Sequence, residues 1–226
     1  MKILTAVAII LSILIFSFYK KNDKNQLPET KLLEVPLVAQ VGHYWCWAAC
    51  LEMVMNYHSK GFPFQQCEIA TTQINRHKSN TEKKLDCITC LSEYPVIPNC
   101  DQAIGSVEDI RDLLHTYNYS ARDTNALSWE IIKQEIASKK PIIAVLRNPC
   151  VDYRDTCKPS HAVVIIGISE TREQAYLRQE IIVNDPKSDS FCKGQTRKIV
   201  YNIDIKSIIC RYIWDIKNAP ISKSIY

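Results

Sequence analysis

Ten cysteines behind an apolar N-terminal run constrain this chain more than any other feature. They stand at positions 46, 50, 67, 87, 90, 100, 150, 157, 192 and 210. Thiols in that number point to an oxidising compartment, where cross-links supplement the core. The N-terminus agrees. Met1 and Lys2 precede an apolar run from Ile3 to Tyr19, which Lys20, Lys21 and Lys24 follow. A positive charge and then an apolar stretch is the pattern of an export signal. The run of 17 residues ends in FSFYKK, without a small-x-small cleavage motif, and is at the lower limit for spanning a bilayer. Residues 1–21 therefore read as a signal peptide or a membrane anchor, with residues 3–19 as the route to any membrane association. Either way the chain is exported: secreted, periplasmic or held at the outer face of the membrane.

Residues 22–31 (NDKNQLPETK) are polar, contain a proline and read as a linker. Residues 32–226 are enough for one domain with a sizeable core. A hydrophobic content of 46% and a charged content of 23% belong to an ordinary globular chain. The net charge is +4, but the lysines and arginines are scattered, and no basic run is interleaved with aromatics. That pattern argues against a nucleic-acid partner.

Helical periodicity begins at Cys46, where Ala49, Met53, Val54 and Tyr57 recur at three- and four-residue steps. Residues 59–104 carry four cysteines and little periodicity, and read as loop-rich and cross-linked. Ser106 and Asp109 resemble a capping box, opening a helix with Val107, Ile110, Leu113, Leu114 and Tyr117 on one face. A further helix covers about 129–138, stopped by Lys139, Lys140 and Pro141. Strands are expected at 142–146, 162–168 and 180–184. Helices first and strands later predict an α+β fold rather than alternating βαβ units.

The segment QVGHYWCWAACLEMVMNYH puts Cys46 at the first turn of its helix, where unpaired N–H groups and the dipole favour a thiolate. Gln40, six residues upstream in the entering loop, is placed to donate to an oxyanion. Two further pieces stand out: SHAVVIIG, where His161 precedes an apolar strand, and EIIVNDP, where Asn184 and Asp185 close another. If the polar segment 169–179 joins these strands in a hairpin folded near residue 173, position 161 comes opposite 185. Successive residues of a strand point to opposite faces, so only one of Asn184 and Asp185 can face His161. The hairpin alone leaves both eligible.

Together, Gln40, Cys46-Trp47-Ala48-Ala49, SHAVVIIG and the Asp-Pro at 185–186 resemble the papain-like cysteine peptidases of the C39-like and AvrRpt2-like type. The resemblance covers roughly residues 33–60 and 139–187. It implies a papain-like α+β fold, with a helical part packed on an antiparallel sheet. It also implies a peptide or protein substrate, no cofactor, and a triad of Cys46, His161 and Asp185 with Gln40 at the oxyanion. By that resemblance Asp185 is preferred as the third member, with Asn184 the alternative. Transglutaminase or amidase chemistry on the same fold is the second reading, and a non-catalytic disulfide-rich binding domain the third.

The remaining residues get plainer expectations. Trp47 packs beneath the site, and His43 reads as a solvated loop residue. Cys50 is expected to be bridged to the cysteine-rich segment, and Cys150 to Cys157. Cys67, Cys87, Cys90 and Cys100 suit either a zinc site or disulfides, and export favours disulfides. The expectation for Cys46 is directly testable: iodoacetamide labels one thiol of the native protein at mildly acidic pH, and Cys46→Ala abolishes that labelling. Slow, uniform labelling with ordinary alkaline dependence would count against an activated thiol.

Overall fold

The computed structural model describes residues 29–59, 63–92, 96–147, 159–173, 176–187, 194–201 and 209–218. The N-terminal segment and the bridge expected between Cys150 and Cys157 lie outside them. Among the described residues no helix is long and apolar enough to cross a membrane.

Helices dominate the first part of the chain and strands the second, as expected, with a strand before the first helix and another between the last two as exceptions. Strand β1 is Thr30–Leu32, beginning two residues before the expected start of the domain. Helix α1, Cys46–His58, buries Trp47, Ala48, Ala49, Cys50, Leu51, Met53, Val54 and Met55. A helix apolar on nearly every side belongs inside, and α1 lies between the sheet and helix α2 (Gln66–Arg76). Truncating fully buried Leu51 to alanine would cost about 2–5 kcal/mol.

Helix α2 corrects the loop-rich reading of 59–104. Its apolar set is sparse (Cys67, Ile69, Ala70, Ile74), and buried Gln66, Thr71 and Gln73 complete the face, so a hydrophobic count misses it. The short helix α3, Cys87–Cys90, is cross-linked at both ends. Cys67 pairs with Cys87 and Cys90 with Cys100, each pair with a Cα separation of 5.5 Å. Those four thiols are therefore bridged rather than free to bind zinc.

Helix α4, Val107–Thr116, has the capping box read from sequence. Asp109 N donates to Ser106 Oγ (3.2 Å) and Ser106 N to Asp109 Oδ2 (2.8 Å). Asn118, at φ 63°, ends its last turn in the left-handed conformation that asparagine tolerates and sends the chain into β2, Tyr119–Thr124. Helix α5, Trp129–Ala137, is capped by Ser128. Then come β3 (Ile142–Arg147), β4 (Pro159–Glu173), β5 (Tyr176–Asp185), β6 (Gln195–Val200) and β7 (Ile209–Asn218).

The sheet is antiparallel, in the order β2-β7-β3-β4-β5-β6, and β1 adds to β4. Strands β1, β2, β6 and β7 were not expected; β2 (YSARDT) and β6 (QTRKIV) are polar and lie at the edges. The expected connection 169–179 is instead mostly strand, since β4 and β5 extend through it until Glu173 pairs with Tyr176.

One irregularity in that hairpin sets which face its residues present. From Glu173↔Tyr176 the register runs evenly to Gly167↔Ile182, then slips by one residue to Ile165↔Val183 and Val164↔Asn184. Ile166 is the extra residue of this bulge, and its carbonyl accepts from Leu33 N at 2.8 Å. A slip of one exchanges the faces of every residue beyond it. Gly167 lies where β1 crowds closest: a Cβ there would stand 2.6 Å from Lys31 O and 3.0 Å from Leu32 Cδ1. Gly167→Val is therefore expected to push β1 away and lower the urea midpoint, at a cost of about 1–3 kcal/mol. An unchanged midpoint would show that β1 does not depend on this contact.

Candidate active site

The bulge decides which residue faces His161. Had the hairpin register continued unbroken, position 161 would be level with 188, and Asn184 would share its face. With Ile166 inserted, the register Val164↔Asn184 puts 161 level with 187, and Asp185 shares its face instead. The expected pairing of 161 directly opposite 185 is thus corrected by two residues. The contact is a diagonal one between neighbouring strands, and His161 Nε2 meets Asp185 Oδ1 at 2.6 Å.

Asn184 is turned to the other face and bonded there through both ends of its amide. Its Nδ2 donates to Val35 O (3.1 Å) and its Oδ1 accepts from Thr196 Oγ1 (2.7 Å). It ties the extended segment after β1 and strand β6 to β5, and is 1% exposed. Asp185, with its side chain 4% exposed, holds more than the histidine. Its Oδ1 also accepts from Lys187 N at 3.0 Å, and its Oδ2 forms an ion pair with the Arg197 guanidinium.

Helix α1 brings Cys46 to the same place. As the first helical residue its N–H has no intrahelical acceptor, and no acidic residue stands in the first turn to compete for the dipole. The thiol is free and half-buried, and lies within hydrogen-bonding reach of His161. Since Nε2 is held by Asp185, Nδ1 is the nitrogen left for the sulfur.

The electrostatics follow from these contacts. Burial opposes the charged form of His161, but the bonds to Asp185 and Cys46 and their charges outweigh it, pushing its pKa up to about 9. Burial likewise raises Asp185, and the bond from His161, its charge, Lys187 N–H and Arg197 overcome it, holding the carboxyl below its ordinary range. Cys50 contradicts its expected bridge. It is a free thiol with no exposure, one turn below Cys46, and burial pushes it well above the ordinary thiol range, with Cys46 and Asp185 adding to the effect.

Gln40 lines the cavity, but its amide is engaged elsewhere. Nε2 donates to Gly42 O (2.9 Å) and His43 O (2.8 Å), which uses both of its hydrogens; Oε1 is buried without a partner. Its backbone is clamped from two sides. Gln40 N donates to Pro186 O (3.0 Å), and Gln66 accepts from Val41 N (2.8 Å) and donates to Ala39 O (2.9 Å).

Asp101, which the sequence did not single out, holds the rest of this loop. Its carboxylate accepts from His43 N (3.0 Å) and Tyr44 N (2.9 Å) and pairs with His43 Nδ1 (3.0 Å). His43 is thus exposed, as expected, but not merely solvated. Trp45 Nε1 donates to Cys100 O (2.8 Å) and Trp47 Nε1 to Gln102 O (3.3 Å). Residues 100–102, fixed by the Cys90–Cys100 bridge, therefore form a rail for the loop that enters α1. Gln66, Asp101 and Arg197 carry no local motif, and only their contacts reveal them.

These groups surround one cavity of about 320 Å³. Gln40, His43, Cys46, His161 and Lys187 form its polar side, and Ala103, Ile104, Val107, Ile110, Val145 and Ala162 its apolar side. No group of three or more His, Cys, Asp or Glu placed to hold a metal occurs among the described residues.

Two of three comparisons with known proteins return matches. The profile of the Peptidase_C39 like family matches residues 32–204. Among solved structures, a crystal structure of a candidate C39-like peptidase from Bacillus anthracis aligns with 83% of this chain and 98% of its own, at 16% identity and a TM-score of 0.47. That likeness is too loose to carry an argument. No curated protein matches the chain.

The His161–Asp185 pair predicts a titration. A folded pKa of about 9 against an ordinary 6.5 means the pair contributes stability that is complete below about pH 6.5 and lost as the pH rises through about 9. Proton NMR of the His161 ring is expected to show the raised value, and Asp185→Asn to lower it. A ring titrating near 6.5 in both proteins would refute the ion pair.

Proposed function

The chain belongs to the C39-like peptidase family, and from that premise we propose that it is an exported cysteine peptidase using Cys46, His161 and Asp185. The observation that carries the reading is their alignment: a free thiol at a helix start, a histidine beside it, and a buried carboxylate on that histidine's far nitrogen. A histidine held with its proton at neutral pH suits a thiolate–imidazolium pair.

The thiolate attacks the scissile carbonyl carbon, and the π electrons move to oxygen. The free N–H of Cys46 meets that oxyanion, and Gln40 supplies a second donor by exchanging one of its two loop bonds. The C–N bond then breaks as His161 Nδ1 gives its proton to the departing amine, leaving a thioester. Water attacks the thioester carbon, passes a proton to His161, and the C–S bond breaks to restore the thiolate. Asp185 keeps the ring oriented throughout.

The mixed lining of the cavity supports substrates with an apolar side chain beside the cleaved bond, seated against Val107, Ile110 and Val145. The two bridges and the apolar 3–19 segment support export, and the peptidase domain begins with β1 at Thr30. Profiling a diverse peptide library is expected to yield cleavage with an apolar preference at one position near the scissile bond. Cys46→Ala is expected to abolish it, and kcat/KM to fall above about pH 9 as His161 loses its proton. Cleavage that persists in Cys46→Ala would refute the mechanism.

A further inference from the structure

We propose that Arg197 is a positioning residue of this site, acting through Asp185 on His161; the inference rests on the triad reading above. The geometry is a row across three strands. Arg197 lies directly opposite Val183 and Asp185 opposite Gln195, so 183, 185, 195 and 197 share one face of the sheet. His161 on β4, Asp185 on β5 and Arg197 on β6 thus follow one another diagonally on the face that meets α1, in a chain of two ion pairs. The neighbouring row, Val164, Asn184 and Thr196, points the other way.

Two physical consequences follow. First, Asp185 is almost fully buried, and its two oxygens have separate donors: His161 and Lys187 N on Oδ1, Arg197 on Oδ2. Losing Arg197 leaves Oδ2 without its guanidinium and frees the carboxylate to turn about χ2, which blurs the aim of Oδ1. Second, the charges balance. Thiolate, imidazolium, carboxylate and guanidinium sum to zero, and without Arg197 this chain of bonded groups carries a net negative charge. An uncompensated Asp185 would hold the imidazolium proton more strongly and slow its transfer to the leaving amine. Among the described residues, the other titratable groups around His161 are Cys46 and Cys50 on α1, Lys187 after β5, and His43 and Tyr44 across the cavity.

The test needs no known substrate. Alkylation of Cys46 by iodoacetate, itself an anion, slows as the imidazolium charge is lost, so its pH–rate profile reports the His161 titration. Arg197→Gln is expected to move the alkaline inflection up by about half a unit, the exposed guanidinium being screened, and less at high salt. Arg197→Lys, which restores the charge, is expected to return it. With a cleaved library peptide, Arg197→Gln is expected to lower kcat about tenfold with KM little changed. A profile unmoved in Arg197→Gln, even with a lower melting temperature and less activity, would make the residue merely structural and overturn the proposal. So would Arg197→Lys behaving like Arg197→Gln. Failure of the triad reading is distinct: Cys46 would then not be selectively alkylated in the unaltered protein.

Discussion

The antiparallel pairing of β4 with β5, broken once at Ile166, is the constraint on which this site depends. Side chains alternate along a strand, so the face a residue presents is a matter of parity, and one inserted residue inverts it. The bulge puts Asp185 on the α1 side with His161 and Asn184 on the opposite side, where Asn184 secures Val35 and Thr196. Gly167 is what allows the bulge and β1 to coexist, because any Cβ there would run into Lys31 O. A contact between two side chains is thus set by backbone geometry several residues away.

The other half of the site is held by different means. The loop before α1 is anchored by buried Trp45 and by groups bonded to its backbone: Gln66 around Gln40, and Asp101 at His43 and Tyr44. Both sit on the cross-linked helical side, Gln66 beside Cys67 and Asp101 beside Cys100. The bridges therefore stiffen the scaffold from which these polar side chains reach. Gln40 is the residue most constrained by this arrangement, because the bonds that fix the loop also use both hydrogens of its amide.

Charge and shape divide the cavity. One wall is polar and carries the ion pairs; low exposure strengthens His161–Asp185, and the more exposed Arg197 balances the carboxylate from the far side. The opposite wall, from α4, β3 and the start of β4, is lined by the aliphatic side chains of Val107, Ile110, Val145 and Ala162. A chemistry-bearing edge against an apolar wall suits a peptide substrate, as the family implies.

Local patterns were enough to identify α1, the capping box of α4, α5, the cores of β3, β4 and β5 and the papain-like likeness, and they singled out Gln40, Cys46, His161 and the pair Asn184 and Asp185 as candidates. These depend on spacing and composition over a few residues, which physics expresses locally. The polar helix α2 and the edge strands β2 and β6 were not legible, because their stability comes from partners distant in sequence rather than from their own hydrophobic pattern. Cys50 could not be told from a bridged cysteine until the fold showed it free and the four cysteines of the 59–104 segment bridged to one another. Likewise strand alternation read from the sequence leaves Asn184 and Asp185 equal, and only the resemblance favours Asp185, since a bulge has no fixed local signature and parity depends on it. Arg197, Gln66 and Asp101 join the site only through contacts across strands and loops. The sequence by itself determined which reactive groups the chain carries and that they belong to one family's pattern; the tertiary structure alone decided which face each presents, because facing is a property of register.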